Sequence, residues 1–341
     1  MKKIRKYIYL LLIFSYVSFT SCEDFALGEK FLQKPPSGDV TIDTIFSTAE
    51  YARRVLWYAY SKLPYGFSTG YNNSTSMRVG SIESLTDLAQ SYVGYAGADK
   101  LYYPGLYNAG SEDESGGEDH ATKYNMYARD PWKGIRHAWV FINNVDRVPD
   151  MTAEEKLRLK AEAKITIAVQ YSEMLRHYGA LPIVDHAIMP EEMGLPERAT
   201  LQQTVDFITR LLDEAIACKE LPWALPEDDL SNESGRMTGA AAMGLKLRVL
   251  LFVASPLFNS DEPYFPGEAS DKLMTWFGGY SEQRWKDAAK AGEDFFKSWK
   301  QGGFYELVQK ETATKNTIRQ AFQQNLIFLT LPDHRQAVRQ I

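Results

Sequence analysis

Residues Gly66-Phe67-Ser68-Thr69-Gly70 match the G-x-S-x-G pattern, which in some hydrolases exposes a nucleophilic serine on a strained turn. Such a turn follows a strand, whereas the residues before Gly66 have the apolar spacing of a helix. Loops rich in Gly and Ser also produce this pattern by chance. We therefore expect an ordinary turn at 66–70 and no nucleophilic serine.

Histidines and carboxylates could also catalyse a reaction or hold a metal, but their spacing matches no known motif. The sequence contains no H-E-x-x-H, and the acidic run at 112–119 lacks the alternating order of an EF-hand loop. Nothing indicates the facing carboxylates of a glycosidase, and no glycine-rich phosphate loop is present. We therefore expect no enzyme activity, no metal site and no cofactor. The histidines considered are His120, His137, His177, His186 and His334.

Aromatic residues are concentrated in two segments without helical periodicity, 65–125 and 257–280. An aromatic ring can stack on the apolar C–H face of a sugar, while Asn, Asp and Arg side chains hydrogen-bond to its hydroxyl groups. Most such rings pack a loop against its neighbours, so we expect only a few of them to be exposed. The candidate ligand-binding residues are Tyr71, Asn72, Arg78, Tyr92, Tyr95, Tyr102, Tyr103, Asn108, Tyr264 and Trp276.

The composition is that of a globular protein with a substantial core, since 45% of the 341 residues are hydrophobic and 24% are charged. The formal net charge is −6, and no basic run follows the first few residues. Nucleic-acid binding depends on Lys and Arg that neutralise phosphates. The charge pattern therefore argues against a nucleic-acid partner.

The N-terminus has the pattern of a secretory signal, which we assign to residues 1–21. Basic residues at 2–6 precede a short apolar run, and the small residues Thr20 and Ser21 precede Cys22. This arrangement resembles the bacterial lipoprotein cleavage box, which implies that Cys22 carries the lipid. Cys218 would then have no disulfide partner, and the anchor would be lipid, because no later apolar run is long enough to span a bilayer.

Signals for helix starts recur along the chain, each followed by apolar residues at helical spacing. One predicted helix begins after Thr238, carries Ala241, Leu245, Val249 and Phe252 as a buried stripe, and ends before Pro256. Successive helix pairs predict an all-α fold that stacks like tetratricopeptide repeats, although that repeat's sequence signature is missing. The other predicted starts are Ser47 with Glu50, Asp130, Thr152 with Glu155, Thr200 with Gln203, and Ser281.

Four stretches resemble the SusD/RagB family of outer-membrane glycan-binding lipoproteins of Bacteroidetes. At 235–259 the chain reads G-R-x-T-x-x-A-A and then A-S-P-L-F-N, and at 22–39 it reads C-x-D-F and then F-L-x-K-P-P-S-G-D. A-E-A-K with Y-S-E-M-L-R-H-Y-G-A-L-P-I-V at 161–184 resembles a recurrent family motif. W-x-x-I running to I-N-N-V at 132–145 resembles the helix that precedes this motif.

The resemblance implies a tetratricopeptide-like helical protein, with residues 22–341 forming one domain that is incomplete at its C-terminus. It also implies a lipoprotein on the outer surface of the outer membrane. Such a protein binds a glycan without cleaving it and delivers it to a SusC-like TonB-dependent transporter. The alternative is a helical interaction scaffold, or a peptide binder, that binds no glycan.

Overall fold

The computed structural model describes residues 41–63, 87, 90, 103–105, 130–188, 192, 194, 196–226, 228 and 230–305. The chain divides into two compact units, 1–45 and 46–341. In the first unit the described residues form one short helix, α1 (Ile42–Ile45), in which the Ile45 amide donates to the Thr41 carbonyl at 3.0 Å. The predicted limits of one domain over 22–341 stay a prediction.

The described part of the second unit is helical and contains no strand, as the all-α prediction requires. No helix in the described ranges is both long enough and apolar enough to cross a membrane. A 3-10 turn at Val145–Arg147 follows the second of its helices. The helices are α2 (Ala49–Tyr60), α3 (Asp130–Asn144), α4 (Ala153–Tyr178), α5 (Leu201–Ile216), α6 (Leu230–Glu233), α7 (Gly239–Ala254), α8 (Glu268–Asp271) and α9 (Glu282–Gly302).

Most of the predicted helix starts are confirmed, because hydroxyl side chains accept hydrogen bonds from the free amides of the first turn. Thr200 and Gln203 form the predicted reciprocal capping box. The prediction was wrong at two positions. The cap of α2 is Thr48 rather than Ser47, and Glu155 does not complete a box with Thr152, because its carboxylate binds Arg53 at 2.6 and 2.9 Å.

The longer helices pack in chain order: α2 contacts α3, α3 contacts α4, α4 contacts α5, α5 contacts α7, and α7 contacts α9. Helix α4 lies at the centre of this stack, and most of its residues from 159 to 175 are buried. Tyr171 is fully buried there, its ring 4.9 Å from that of Phe207 on α5. This sequential packing is the arrangement expected of helical repeats.

Tyr171 also fixes the segment that leaves α4. Its hydroxyl donates to the Pro182 carbonyl at 2.9 Å and accepts from the Val184 amide at 2.8 Å. Burial raises the pKa of Tyr171, so the hydroxyl stays protonated and keeps its donor. The motif at 171–184 therefore forms the end of α4 and the extended segment that follows it. Tyr171, the first tyrosine of the motif, holds that segment in place through the two hydrogen bonds.

Helix α7 is less buried than the sequence predicts. Val249 is buried, but Leu245 and Phe252 are half-buried and Ala241 is exposed, so the predicted stripe is wrong at Ala241. The reason is that α7 packs mainly against α9 and α5. Its buried residues include Ala240 and Ala242, which lie outside the predicted stripe. Leu245 and Phe252 instead face a gap toward α4.

A buried carboxylate joins three parts of the stack. Glu162 on α4 is 0% exposed, and its Oε1 accepts from Nε of Arg158 at 3.0 Å and from Nη2 of Arg236 at 2.6 Å. Its Oε2 accepts from the Tyr60 hydroxyl at 2.8 Å and from Nε of Arg236 at 3.2 Å. The end of α2, the middle of α4 and the segment before α7 therefore meet at one side chain.

Glu233 completes this network and makes it electrically neutral. It accepts from Nη1 of Arg236 at 2.6 Å and also binds Arg158. Burial acts to lower the pKa of Arg236, but its bonds and charge interactions with Glu162 and Glu233 outweigh that effect and raise it. Burial, followed by the charge of Glu162, raises the pKa of Tyr60 well above its usual value. At neutral pH, Arg236 stays charged and Tyr60 stays a donor.

We expect Arg236→Ala to lower the free energy of unfolding by about 3 kcal/mol, because Glu162 would stay buried with half of its bonds lost. Urea denaturation followed by circular dichroism measures this change. Arg54→Ala is the matched control, since Arg54 pairs with Glu50 on the surface of α2, and we expect it to cost at most ~1 kcal/mol. Equal losses in the two variants would contradict the network's structural role.

Candidate functional site

The candidate site is the loop between α7 and α9, residues 255–281, whose base is fixed by one buried amide. Asn259 is 3% exposed, and its Nδ2 donates to the carbonyls of Ala254 at 3.2 Å and Ser281 at 3.0 Å. Its Oδ1 accepts from the Ser281 amide at 2.7 Å and from Nη1 of Arg284 at 2.9 Å. One side chain thus joins the end of α7 to the start of α9.

Two aromatic contacts support the same base. Phe258 is buried against Phe252, with ring centroids 5.2 Å apart, and its carbonyl accepts from the Phe277 amide at 3.1 Å. The guanidinium carbon of Arg284 lies 4.0 Å from the centroid of the Phe277 ring. Burial lowers the pKa of Arg284, and the carbonyl of Gly279 and Oδ1 of Asn259 accept from its Nη1.

The far part of the loop is fastened to α4 and α5. The Met274 carbonyl accepts from the Ala180 amide at 2.8 Å, and the Leu273 carbonyl accepts from the Leu201 amide at 2.8 Å. Gly179, which ends α4, has φ +73°, and a Cβ at this position would lie 2.8 Å from the Met274 carbonyl oxygen. Glycine is therefore required where the loop crosses the end of α4.

Between these attachments the loop exposes two adjacent rings. Tyr264 is 81% exposed and Phe265 is 83% exposed. Pro263 and Pro266 flank the pair and restrict the backbone on both sides, which lowers the entropy lost when a ligand orders the rings. Asp261 and Glu262 are exposed just before them and offer carboxylate oxygens to hydroxyl groups.

The predicted ligand-binding residues have different positions relative to this surface. Tyr264 lies on it, whereas Trp276 is half-buried and its indole N–H donates to the Ser270 carbonyl at 3.0 Å. Tyr103 is 45% exposed in a short described turn at 103–105. The remaining candidates lie outside the described residues: Tyr71, Asn72, Arg78, Tyr92, Tyr95, Tyr102 and Asn108.

Phe265 was missed by the sequence analysis, because a phenylalanine offers no polar group and is usually a core residue. The signal that could have identified it is the order Pro263-Tyr264-Phe265-Pro266. Two aromatic residues between two prolines cannot continue a helix, so they lie in a loop. Loops run over the protein surface, where little core is available to bury both rings.

The other motifs provide little chemistry in the described residues. The G-x-S-x-G pattern at 66–70 and Cys22 lie outside them. His186 is exposed, with Nδ1 2.7 Å from Asp185 Oδ1 and Nε2 2.8 Å from Glu192 Oε2. The contact with Glu192, and then that with Asp185, raises the pKa of His186. The described residues contain no group of three His, Cys, Asp or Glu side chains placed to hold a metal ion.

We expect Asn259→Ala to lower the free energy of unfolding by about 2–3 kcal/mol, because the Ser281 amide and two carbonyls would lose their partner at the buried base of the loop. Chemical denaturation of the variant and the parent chain gives the difference. Asn143→Ala, at an exposed position on α3, is the matched control and should change stability by no more than ~0.5 kcal/mol. A loss no larger than that of the control would show that Asn259 does not fix the loop base.

Comparisons with known proteins agree with the architecture. No protein-family model matches the chain, and no curated protein matches it. The solved structure of BT4246 aligns with a TM-score of 0.57 and 21% identity, over 81% of this chain and 43% of its own. The alignment therefore covers less than half of the length of BT4246.

Two structures from Bacteroides fragilis align at lower scores. A SusD-like protein has a TM-score of 0.49 and 17% identity, over 79% of this chain and 42% of its own. A SusD-like carbohydrate-binding protein has a TM-score of 0.48 and 20% identity, over 75% of this chain and 41% of its own. SusD-like proteins are among the structures that this chain resembles. The alignment with BT4246 confirms the predicted all-α fold of packed helices.

Proposed function

We propose that this protein is a surface lipoprotein that binds an oligosaccharide or polysaccharide without cleaving it. The proposal combines the sequence resemblance at four separate stretches with the fold shared with BT4246. In this proposal the protein delivers the glycan to a SusC-like TonB-dependent transporter, and the lipid on Cys22 holds it at the outer membrane.

The observation that carries the proposal is the exposure of Tyr264 and Phe265 on an anchored loop. Single apolar side chains are common on protein surfaces, but adjacent large apolar side chains that are exposed to water often mark a site that a ligand or partner covers. Here two neighbouring rings are more than four-fifths exposed, while the loop residues on both sides are fixed by backbone hydrogen bonds. A rigid base with exposed rings is suited to a ligand that presents a flat apolar face.

A sugar fits this surface better than a purely apolar ligand does. The C–H face of a pyranose can stack on Tyr264 or Phe265, and its hydroxyl groups can donate to Asp261, Glu262 and the backbone carbonyls of the loop. The tyrosine hydroxyl supplies a further donor and acceptor. Such contacts recognise and hold a glycan, and stacking with hydrogen bonds to hydroxyl groups is sufficient for binding without cleavage.

We expect the double variant Tyr264→Ala, Phe265→Ala to bind its glycan at least about tenfold more weakly than the parent chain, because both stacking surfaces are removed. A glycan array with the full-length chain identifies the ligand, and titration calorimetry with that ligand gives the dissociation constants. Tyr51→Ala is the matched control, since Tyr51 is 46% exposed on α2 and lies outside the loop.

Three outcomes separate the alternatives. Binding that the double variant loses and the control keeps would support glycan capture at this loop. Unchanged glycan binding by the double variant would show that the glycan binds at a site other than Tyr264 and Phe265. A folded chain that binds no glycan would contradict the proposal and favour the interaction scaffold.

The lipid anchor and the transporter have their own test. We expect Cys22→Ser to abolish incorporation of a labelled fatty acid and to release the protein from the membrane fraction, while Cys218→Ser leaves both unchanged. Cys218 is the matched control because it is the other cysteine of the chain. Membrane-bound Cys22→Ser protein would contradict the anchor, and failure of the anchored chain to co-purify with an outer-membrane transporter would contradict that partner.

A further inference from the structure

A small cavity lies between α4 and α7. Its volume is about 150 Å³, which is room for one six-membered ring. Among the described residues that line it, half are apolar, and these come from both helices. The lining residues are Ser172, Glu173, Leu175 and Arg176 on α4, and Leu245, Arg248, Val249 and Phe252 on α7.

The polar side of the cavity carries a net positive charge. Glu173 is 8% exposed, and its Oε2 accepts from Nη1 of Arg176 at 2.8 Å. Nη2 of Arg248 lies 3.7 Å from Oε1 of Glu173, which is an ion-pair distance and too long for a hydrogen bond. Two guanidinium groups thus face one carboxylate at the cavity wall.

Arg248 is the group that can bind a further anion. Its side chain is 61% exposed, and within the described residues it makes no hydrogen bond. Its planar guanidinium can donate two parallel N–H bonds to a carboxylate, while Arg176 remains bonded to Glu173. A ligand carboxylate could therefore accept hydrogen bonds from Arg248 without breaking the hydrogen bond between Arg176 and Glu173.

The apolar side limits what the rest of the ligand can be. Leu175, Leu245 and Phe252 offer no hydrogen-bonding side-chain groups, and the Ser172 hydroxyl already donates to the Val169 carbonyl at 2.8 Å. A ring bearing several hydroxyls would leave them without partners there, which costs free energy. The lining instead fits an apolar ring or a short aliphatic chain.

We propose that this cavity binds a small organic acid, with its carboxylate on Arg248 and its apolar body against Leu175, Leu245 and Phe252. The residues differ from those of the proposed glycan surface, so the site does not depend on glycan binding. The ligand class is a monocarboxylate with an aromatic ring or a short aliphatic chain.

The test uses 4-fluorobenzoate as the probe and ligand-observed ¹⁹F NMR with the full-length chain. We expect saturable binding, and a dissociation constant at least about tenfold higher for Arg248→Gln, because the charged pair of hydrogen bonds is lost. Neutral 4-fluorobenzyl alcohol should bind at least about tenfold more weakly than 4-fluorobenzoate. Arg210→Gln is the matched control, because Arg210 is an exposed arginine of α5 that pairs with Glu214 and does not line the cavity.

A second variant tests the apolar side. Leu245→Trp places a larger side chain in the cavity and should also raise the dissociation constant of 4-fluorobenzoate at least about tenfold, with folding checked by circular dichroism. The proposal is overturned if no saturable binding occurs, or if Arg248→Gln binds as tightly as the Arg210→Gln control. Displacement of the probe by D-glucuronate as efficiently as by unlabelled benzoate would overturn the apolar assignment.

Discussion

The buried carboxylate of Glu162 is the interaction on which the frame of this protein depends. A carboxylate removed from water is very unfavourable unless charged partners and hydrogen bonds surround it. Here the partners are Tyr60, Arg158 and Arg236, which come from three separate parts of the chain. All three must be in place at once, so the network fixes how α2, α4 and the start of α7 meet.

The position of α7 in turn determines where the candidate loop begins. Arg236 lies two residues before Thr238, which caps α7, and α7 ends at Ala254, whose carbonyl accepts from Asn259. The loop is attached again at Met274 and Leu273, on the ends of α4 and α5. The exposed pair Tyr264 and Phe265 is therefore displayed by a segment whose two sides are fixed to the same helical stack. Because the segment is already held in place, less conformational entropy is lost when a ligand binds to it.

Much of the fold could be predicted from the sequence, because hydroxyl caps and apolar periodicity are local signals. Thr200 with Gln203, Thr238 and the end of α7 before Pro256 are examples. The errors arise where tertiary partners compete with local ones: Glu155 binds Arg53 on another helix instead of capping its own, and Ala241 is exposed because α7 buries other residues against its neighbours. Periodicity predicts that a face is apolar, but not which neighbour covers it.

The candidate site was less predictable. Exposure of Tyr264 depends on how distant residues hold the loop, and no sequence spacing reveals the contact of Gly179 with Met274. The pairing of Arg236 with Glu162 was equally hidden, since 74 residues separate the two charges, although both lie within the motifs that resemble the SusD/RagB family.

A crystal structure of the protein with the oligosaccharide that it binds most tightly would show whether the exposed rings of the loop contact the glycan. We expect a sugar ring stacked on Tyr264 or Phe265, with Asn259 and the loop base in their present positions. A sugar bound elsewhere, with both rings still exposed to solvent, would contradict this expectation.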